Sequence, residues 1–364
     1  MASPRRGRDY LRRRQKLRTS ARSDAYTTIE KGKATMLDHK FRPGRNDATS
    51  SDAFAKHSFP SDGLVAQSRI AYESTPLLTA QIRSGVFVFA GAGGNLTAIA
   101  GSPGGTIVDT GYGPRVAEIE DATAGVFGRM PQWVINTHWH FDHTDGNAAF
   151  AAAGATILAH ANSRARLSTS QYVPSLSWRI SASPRKAWPS LTFDHPFTLD
   201  IGTEQLHLLP QAPAHTDGDV AVFLPSANVL VTGDLFTHRS YPVIDESSGG
   251  SLRGMIEAVE RLLPMTDRDT VVVPGHGAVT NRTGLAAFLD MLRSIEDRIL
   301  VLIEAQREIH EIAAARPAAE FDTVWGRGYV TGAHFTRMAL AGTRLMPGHY
   351  EGEMKLPKCQ NSNK

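Results

Sequence analysis

The chain has 364 residues, 41% hydrophobic and 21% charged, with a formal net charge of +3. This composition is ordinary for a globular protein, and no run approaches the roughly 18–20 apolar residues needed to cross a bilayer. One cysteine, Cys359, excludes an intrachain disulfide and a cysteine-based metal site. The positive charge is confined to residues 1–60, with 15 Lys and Arg against 6 Asp and Glu, so it is weak ground for assigning nucleic-acid binding to the rest of the chain.

Residues 1–75 form a basic segment carrying Arg5, Arg6, Arg8, Arg12, Arg13, Arg14, Lys16, Arg18 and Arg22. No apolar stripe is sustained there, so the segment is expected to be disordered. It lacks the apolar core of a secretory signal, which points to the cytoplasm. An organellar transit peptide or a polyanion-binding arm competes with a solvated tail of no specific role.

Packing is expected from Leu77 onward. Val86–Phe89, Leu96–Ala100 and Thr106–Val108 predict short strands joined by glycine turns. Gly91-Ala92-Gly93-Gly94 is a hairpin turn and not a phosphate loop, because no Lys-Ser/Thr follows. Asp109 closes a buried strand, either as a turn cap or as an acid orienting a ligand histidine. Val116–Phe127 predicts an amphipathic helix, Trp133–Asn136 a buried strand, and Ala148–Ala153 a helix capped at Thr144 or Asp145.

Between that strand and helix lies Thr137-His138-Trp139-His140-Phe141-Asp142-His143. Four potential metal ligands fall within six residues, and imidazole and carboxylate are donors that Zn²⁺ accepts. A helix would spread them around its axis, so the run is expected to be a loop wrapped around a metal. Further on, Thr156–Ala159 predicts a strand ending at His160, which is taken as structural. Residues 162–190, rich in Arg, Ser, Pro and Trp, are expected to be an irregular connection serving as a substrate wall or a mobile insertion.

Three later strands also end beside single His or Asp residues. His215 lies in the turn before Val220–Phe223, Asp234 follows Val229–Thr232, and His276 follows Thr270–Val273. His207 is read as an ordinary strand residue. Strand ends sharing one sheet edge can aim His138, His140, Asp142, His143, His215, Asp234 and His276 at one point. Leu252–Leu263 predicts a helix, and Leu285, Phe288, Leu289, Leu292, Ile295, Ile299 and Leu302 mark the buried face of a long helix, continuous or broken, over about Thr283–Ala315. A shorter helix is expected over His334–Leu345. The resulting division is a catalytic domain over 76–282, C-terminal helices over 283–345 packed on it, and a polar tail over 346–364.

With His138-Trp139-His140-Phe141-Asp142-His143 followed in order by His215, Asp234 and Pro274-Gly275-His276-Gly277, the chain resembles the metallo-β-lactamase-fold superfamily, specifically its glyoxalase II-like branch. The resemblance covers about residues 80–300. It implies an α/β fold, a four-layered αββα sandwich with C-terminal helices. It also implies two Zn²⁺ per chain, with iron or manganese as substitutes. His138, His140 and His215 would hold the first, Asp142, His143 and His276 the second, and Asp234 would bridge them. The implied activity is metal-dependent hydrolysis of a small ester, thioester, lactone or amide by a bridging hydroxide, with Asp142 orienting the nucleophile and moving a proton. A β-lactamase is the first alternative, although Thr237 stands where some zinc β-lactamases carry a drug-binding lysine. An iron-dependent redox enzyme of the same fold is the second. The expected partner is a small molecule, with no membrane contact.

Overall fold

A computed structural model describes residues 75–343 except Ala92, Pro103 and Ala212. The expectations for the basic N-terminal segment, the polar tail and Cys359 lie outside the described residues. The first sheet contains β1 (Leu78–Arg83), β2 (Val86–Ala90), β3 (Leu96–Ile99), β4 (Thr106–Val108), β5 (Trp133–Ile135) and β6 (Thr156–His160). After the separate hairpin of β7 (Gln171–Val173) and β8 (Trp178–Ile180), β9 (Leu191–Phe193) completes it in the order β1-β2-β3-β4-β5-β6-β9. The second sheet runs in simple order through β10 (Phe197–Asp200), β11 (Gln205–Pro210), β12 (Val220–Leu224), β13 (Val229–Val231), β14 (Val271–Val273) and β15 (Thr280–Asn281).

Alternation along the strands builds the layers, since successive side chains point to opposite faces. Val86, Val88, Ile99, Val108, Ile135 and Leu158 of the first sheet share one core with Leu206, Leu208, Val222, Val229, Val231, Val271 and Val273 of the second. Their neighbours Phe89, Leu96, Ile107, Val134 and Ile157 face outward, against Ile119 of α1 (Val116–Phe127) and Phe150 of α3 (Asn147–Ala152). On the far side, Ala221, Leu230 and Val272 join a core with α5 (Leu252–Leu262), α6 (Arg282–Glu304) and α8 (Gly332–Thr343). The chain is therefore an αββα sandwich in which both sheets are buried on both faces, which explains the continuous valine runs.

Several local expectations change. Phe141–Thr144 is one helical turn, α2, entered through His140, so the ligand run is part loop and part helix. The cap of α3 is Gly146 and not Thr144 or Asp145; Thr144 instead turns its hydroxyl to the carbonyls of Trp139 and His140. Residues 162–190 are not irregular throughout: they contain most of α4 (Ala161–Leu167) and the β7–β8 hairpin. The long C-terminal helix ends at Glu304, and Ile309–Ala314 resumes as α7 behind a capping box made by Glu308 and Glu311.

Candidate metal centre

Strand direction brings the seven predicted ligands together. β4 and β5 are parallel, so Asp109 and the 137–143 run leave the first sheet at the same end. β13 and β14 are parallel, which places Asp234 and His276 at one end of the second sheet. β12 is antiparallel to β13, so His215, which precedes β12, arrives at that end as well. The ligands thus come from the edges of two sheets and not from one. Two main-chain bonds join those edges: Val220 N to Thr137 O, 2.7 Å, and Asn95 N to Gly275 O, 2.7 Å.

Three donor sets result: His138, His140 and His215; His138, His143 and Asp234; and Asp142, His143 and His276. Within each, the donor atoms lie within 4.8 Å of one another. The histidines of the first set are all buried. An ionised carboxylate or a carbonyl only accepts, so neighbouring groups dictate each tautomer. His140 Nε2 donates to Asp245 Oδ2 at 3.1 Å, leaving Nδ1 as the lone-pair nitrogen. His215 Nδ1 donates to the Val243 carbonyl at 2.8 Å, leaving Nε2. Thr137 Oγ1 donates to Asp109 Oδ2 at 2.7 Å and therefore accepts from His138 Nδ1 at 3.1 Å, leaving His138 Nε2.

The freed nitrogens converge. His140 Nδ1 and His215 Nε2 face each other at 2.9 Å, a distance at which two lone pairs repel unless a cation or proton lies between them. His138 Nε2 is buried without a hydrogen-bond partner, and Asp234 Oδ1 is met by His143 Nε2 at a long 3.3 Å. Donor atoms placed in this way fit a cation ligated by nitrogen and oxygen.

Of the two roles the sequence left open for Asp109, its side-chain bonds fit the second, since they reach across to Thr137 and His143. It sits in the left-handed region at φ 63° after β4, and its Oδ1 accepts from Thr137 N at 2.8 Å. Its Oδ2 also orients His143 through Nδ1 at 2.8 Å. His143 Nε2 then points at Asp234 Oδ1, 3.3 Å, and Asp142 Oδ2, 3.6 Å. His276 Nε2 lies 3.1 Å from Asp142 Oδ2 and 3.4 Å from Asp234 Oδ2, and the latter oxygen is 3.7 Å from His215 Nε2. Asp234 thus sits between the two histidine groups. His276, with 31% of its side chain exposed, and Asp142, with 12%, mark the open side.

The electrostatics follow from this crowding. Burial, then the neighbouring His143, His215 and His140, hold His138 well below the ordinary imidazole range. Burial brings His215 down to about 4, assisted by His140. Burial pushes Asp142 upward, but His143 and His276 outweigh it and hold Asp142 at about 2. His138 and His215 are therefore neutral nitrogens, and the second group couples carboxylates to basic imidazoles.

The family model of the metallo-β-lactamase superfamily matches residues 91–276, which contain all of these groups. The chain belongs to the metallo-β-lactamase superfamily. It is similar to acyl-coenzyme A thioesterase MBLAC2 of Homo sapiens, 28% identical over 52% of this chain and 75% of that one. It is also similar to a hydroxyacylglutathione hydrolase of Anaeromyxobacter dehalogenans, 33% identical over 31% of this chain and 36% of the other. Among solved structures, the sec-alkylsulfatase Pisa1 from Pseudomonas sp. superposes with a TM-score of 0.57 at 18% identity, covering 78% of this chain and 53% of that one, a likeness of fold alone.

Tyr329, Asn95 and Asp245 were not singled out from the sequence of this metallo-β-lactamase-fold chain. Trp178, on β8 and within the tryptophan-bearing 162–190 connection, packs edge-on to His140 at 6.0 Å and to Phe141 at 5.2 Å, forming an aromatic wall on the His140 side. Tyr329 extends that wall at 6.1 Å from Trp178 and is 48% exposed. Asn95 anchors the loop of His276 through Nδ2 to the carbonyls of Pro274 and Gly277, both at 2.8 Å. Asp245 is an ordinary Asp in a Ser-rich turn and has no telltale spacing. His160 caps α4, accepting from Asn162 N at 3.1 Å, and His207 packs against Phe223; both remain structural.

Proposed function

We propose that this chain is a dinuclear Zn²⁺-dependent hydrolase acting on a small thioester or ester. The observation that carries the reading is the set of lone-pair nitrogens and carboxylate oxygens aimed at one space from two sheet edges. His138, His140 and His215 would hold the first cation, Asp142, His143 and His276 the second, and Asp234 lies where it would serve both. When bound, such cations supply Lewis acidity, bringing the pKa of a water toward neutrality and polarising the scissile carbonyl.

The protein groups do the rest. Asp142 is ionised at neutral pH and faces the open side, so its carboxylate is suited to orient the attacking water, take its proton and pass it to the leaving group. Trp178 and Phe141 exclude water from the His140 side. The thioester preference is supported by the relatives named as a thioesterase and a hydroxyacylglutathione hydrolase. A β-lactam reading is disfavoured by Thr237, whose hydroxyl is turned to the Ser240 carbonyl at 2.7 Å and offers no cation for a drug carboxylate.

The test is turnover by Zn²⁺-reconstituted protein of S-lactoylglutathione, a short acyl-coenzyme A, an aryl ester and a chromogenic cephalosporin. Thioester hydrolysis is expected to dominate. Asp142→Ala is expected to lower it by at least about 10²-fold while the circular dichroism spectrum is retained. Full activity in Asp142→Ala, or cephalosporin turnover exceeding that of both thioesters, overturns the reading.

A further inference from the structure

We propose that Asp245 is a positioning residue that sets the tautomer of His140 and thereby makes the first cation position competent. The proposal rests on the reading that His138, His140 and His215 form that position. One short segment supports two of the three histidines: the Val243 carbonyl receives His215 Nδ1, and Asp245 Oδ2 receives His140 Nε2. The same segment is tied back by Asp245 N to the His215 carbonyl at 3.0 Å, so both rings and their support move as one unit.

The surroundings of Asp245 leave it a single orientation. The indole Nε1 of Trp139 is a donor only and points at Ser248 Oγ at 3.1 Å. That hydroxyl therefore sends its own hydrogen to Asp245 Oδ2, at 2.6 Å. The other oxygen, Oδ1, accepts from Ser247 Oγ at 2.6 Å and from Ser248 N at 3.2 Å. Asp245 is thus fully buried and surrounded by donors, one of which is His140 Nε2. A carboxylate on Nε2 keeps the proton there and leaves Nδ1 as the lone pair that faces His215.

An isosteric amide reverses this. Ser248 N also reaches the Asp245 carbonyl at 3.1 Å, but an amide NH₂ in the Oδ1 place would still set two donors face to face. The Ser248 hydroxyl at the Oδ2 place can turn its hydrogen away and accept, whereas Ser248 N at the Oδ1 place is a fixed donor. In Asp245→Asn the amide oxygen is therefore expected at the Oδ1 place, with NH₂ at the Oδ2 place. That NH₂ donates to His140 Nε2, moves the imidazole proton to Nδ1, and blocks the nitrogen that faces the cation position.

Asp245 also caps the turn Glu246–Ser248, so a loss of stability alone does not distinguish positioning from a structural role. The decisive readout is the His140 ring in ¹⁵N-histidine-labelled, metal-stripped protein at pH about 8.5, above the ordinary imidazole range. Wild type is expected as the Nε2–H tautomer and Asp245→Asn as Nδ1–H. Zn²⁺ titration against a chromophoric chelator is expected to show two binding events in wild type. In Asp245→Asn one of them weakens by about 10–100-fold and the other is unchanged. Asp245→Ala removes the acceptor without supplying a donor, so its loss of affinity is expected to be smaller. It takes the place of the Asn variant if that variant fails to fold. An Nε2–H tautomer with wild-type Zn²⁺ affinity in the variants overturns the proposal and leaves Asp245 a turn cap. Wild-type protein that binds no Zn²⁺ would overturn the metal reading instead, while the tautomer comparison still decides the role of Asp245.

Discussion

Gly94 has no room for a side chain. A Cβ there would lie 2.2 Å from Cε1 and 2.6 Å from Nε2 of His143. Its backbone cannot retreat freely, because Gly94 N is bonded to the Asp142 carbonyl at 3.2 Å and the next residue is bonded to Gly275. His143 must give way. Gly94→Ala is therefore expected to reduce bound Zn²⁺ from two equivalents toward one and to lower turnover by about 10²-fold, since misplacement near 1 Å has that scale of cost. Metal analysis beside steady-state kinetics checks it; two tightly held equivalents with wild-type turnover would refute it. The sequence shows this glycine only as part of a hairpin turn. The four candidate ligands between His138 and His143 stood out because donor types crowd into six residues, and the structure brings them into shared donor sets. Asp245 and Asn95 were not legible in the sequence, because each is a single polar residue in a loop, and their partners lie more than a hundred positions away.

At the scale of elements, α6 carries the C-terminal helices against the outer face of the second sheet. Phe288, fully buried in its N-terminal third, meets Phe236 at 5.0 Å and Trp325 at 5.7 Å. Phe236 is two residues beyond Asp234, so this packing lies directly behind a candidate ligand. Phe288→Ala is expected to cost about 3–5 kcal/mol in urea unfolding, through lost burial and the cavity left behind. At saturating Zn²⁺ it should keep its metal, because no donor atom moves into or out of the set; a cost below about 1 kcal/mol would show that the helix is not anchored there. The apolar stripe of α6 was readable because seven apolar residues repeat one spacing. Elements of three residues, such as β7 and β8, are too short to display a period, and their existence rests on pairing with each other. The single turn Phe141–Thr144 escaped notice for the same reason.

For the molecule as a whole, the centre couples metal loading to pH. Burial drives His276 down, but Asp234 and Asp142 outweigh it and raise it to about 9. A raised value contributes stability that is full below the ordinary 6.5 and lost as pH rises through about 9. Asp142, depressed to about 2, contributes stability present above the ordinary 3.8 and lost as pH falls through about 2. Metal-stripped protein should therefore lose stability from these groups on both limbs. A histidine that binds a cation must be neutral, so in Zn²⁺-loaded protein the alkaline loss at His276 is absent. The difference in urea midpoint between loaded and chelator-treated protein is thus expected to widen from pH 6.5 to 9. A difference that stays flat over that range would mean that the His276 proton does not compete with the cation, and His276 would then not be a ligand.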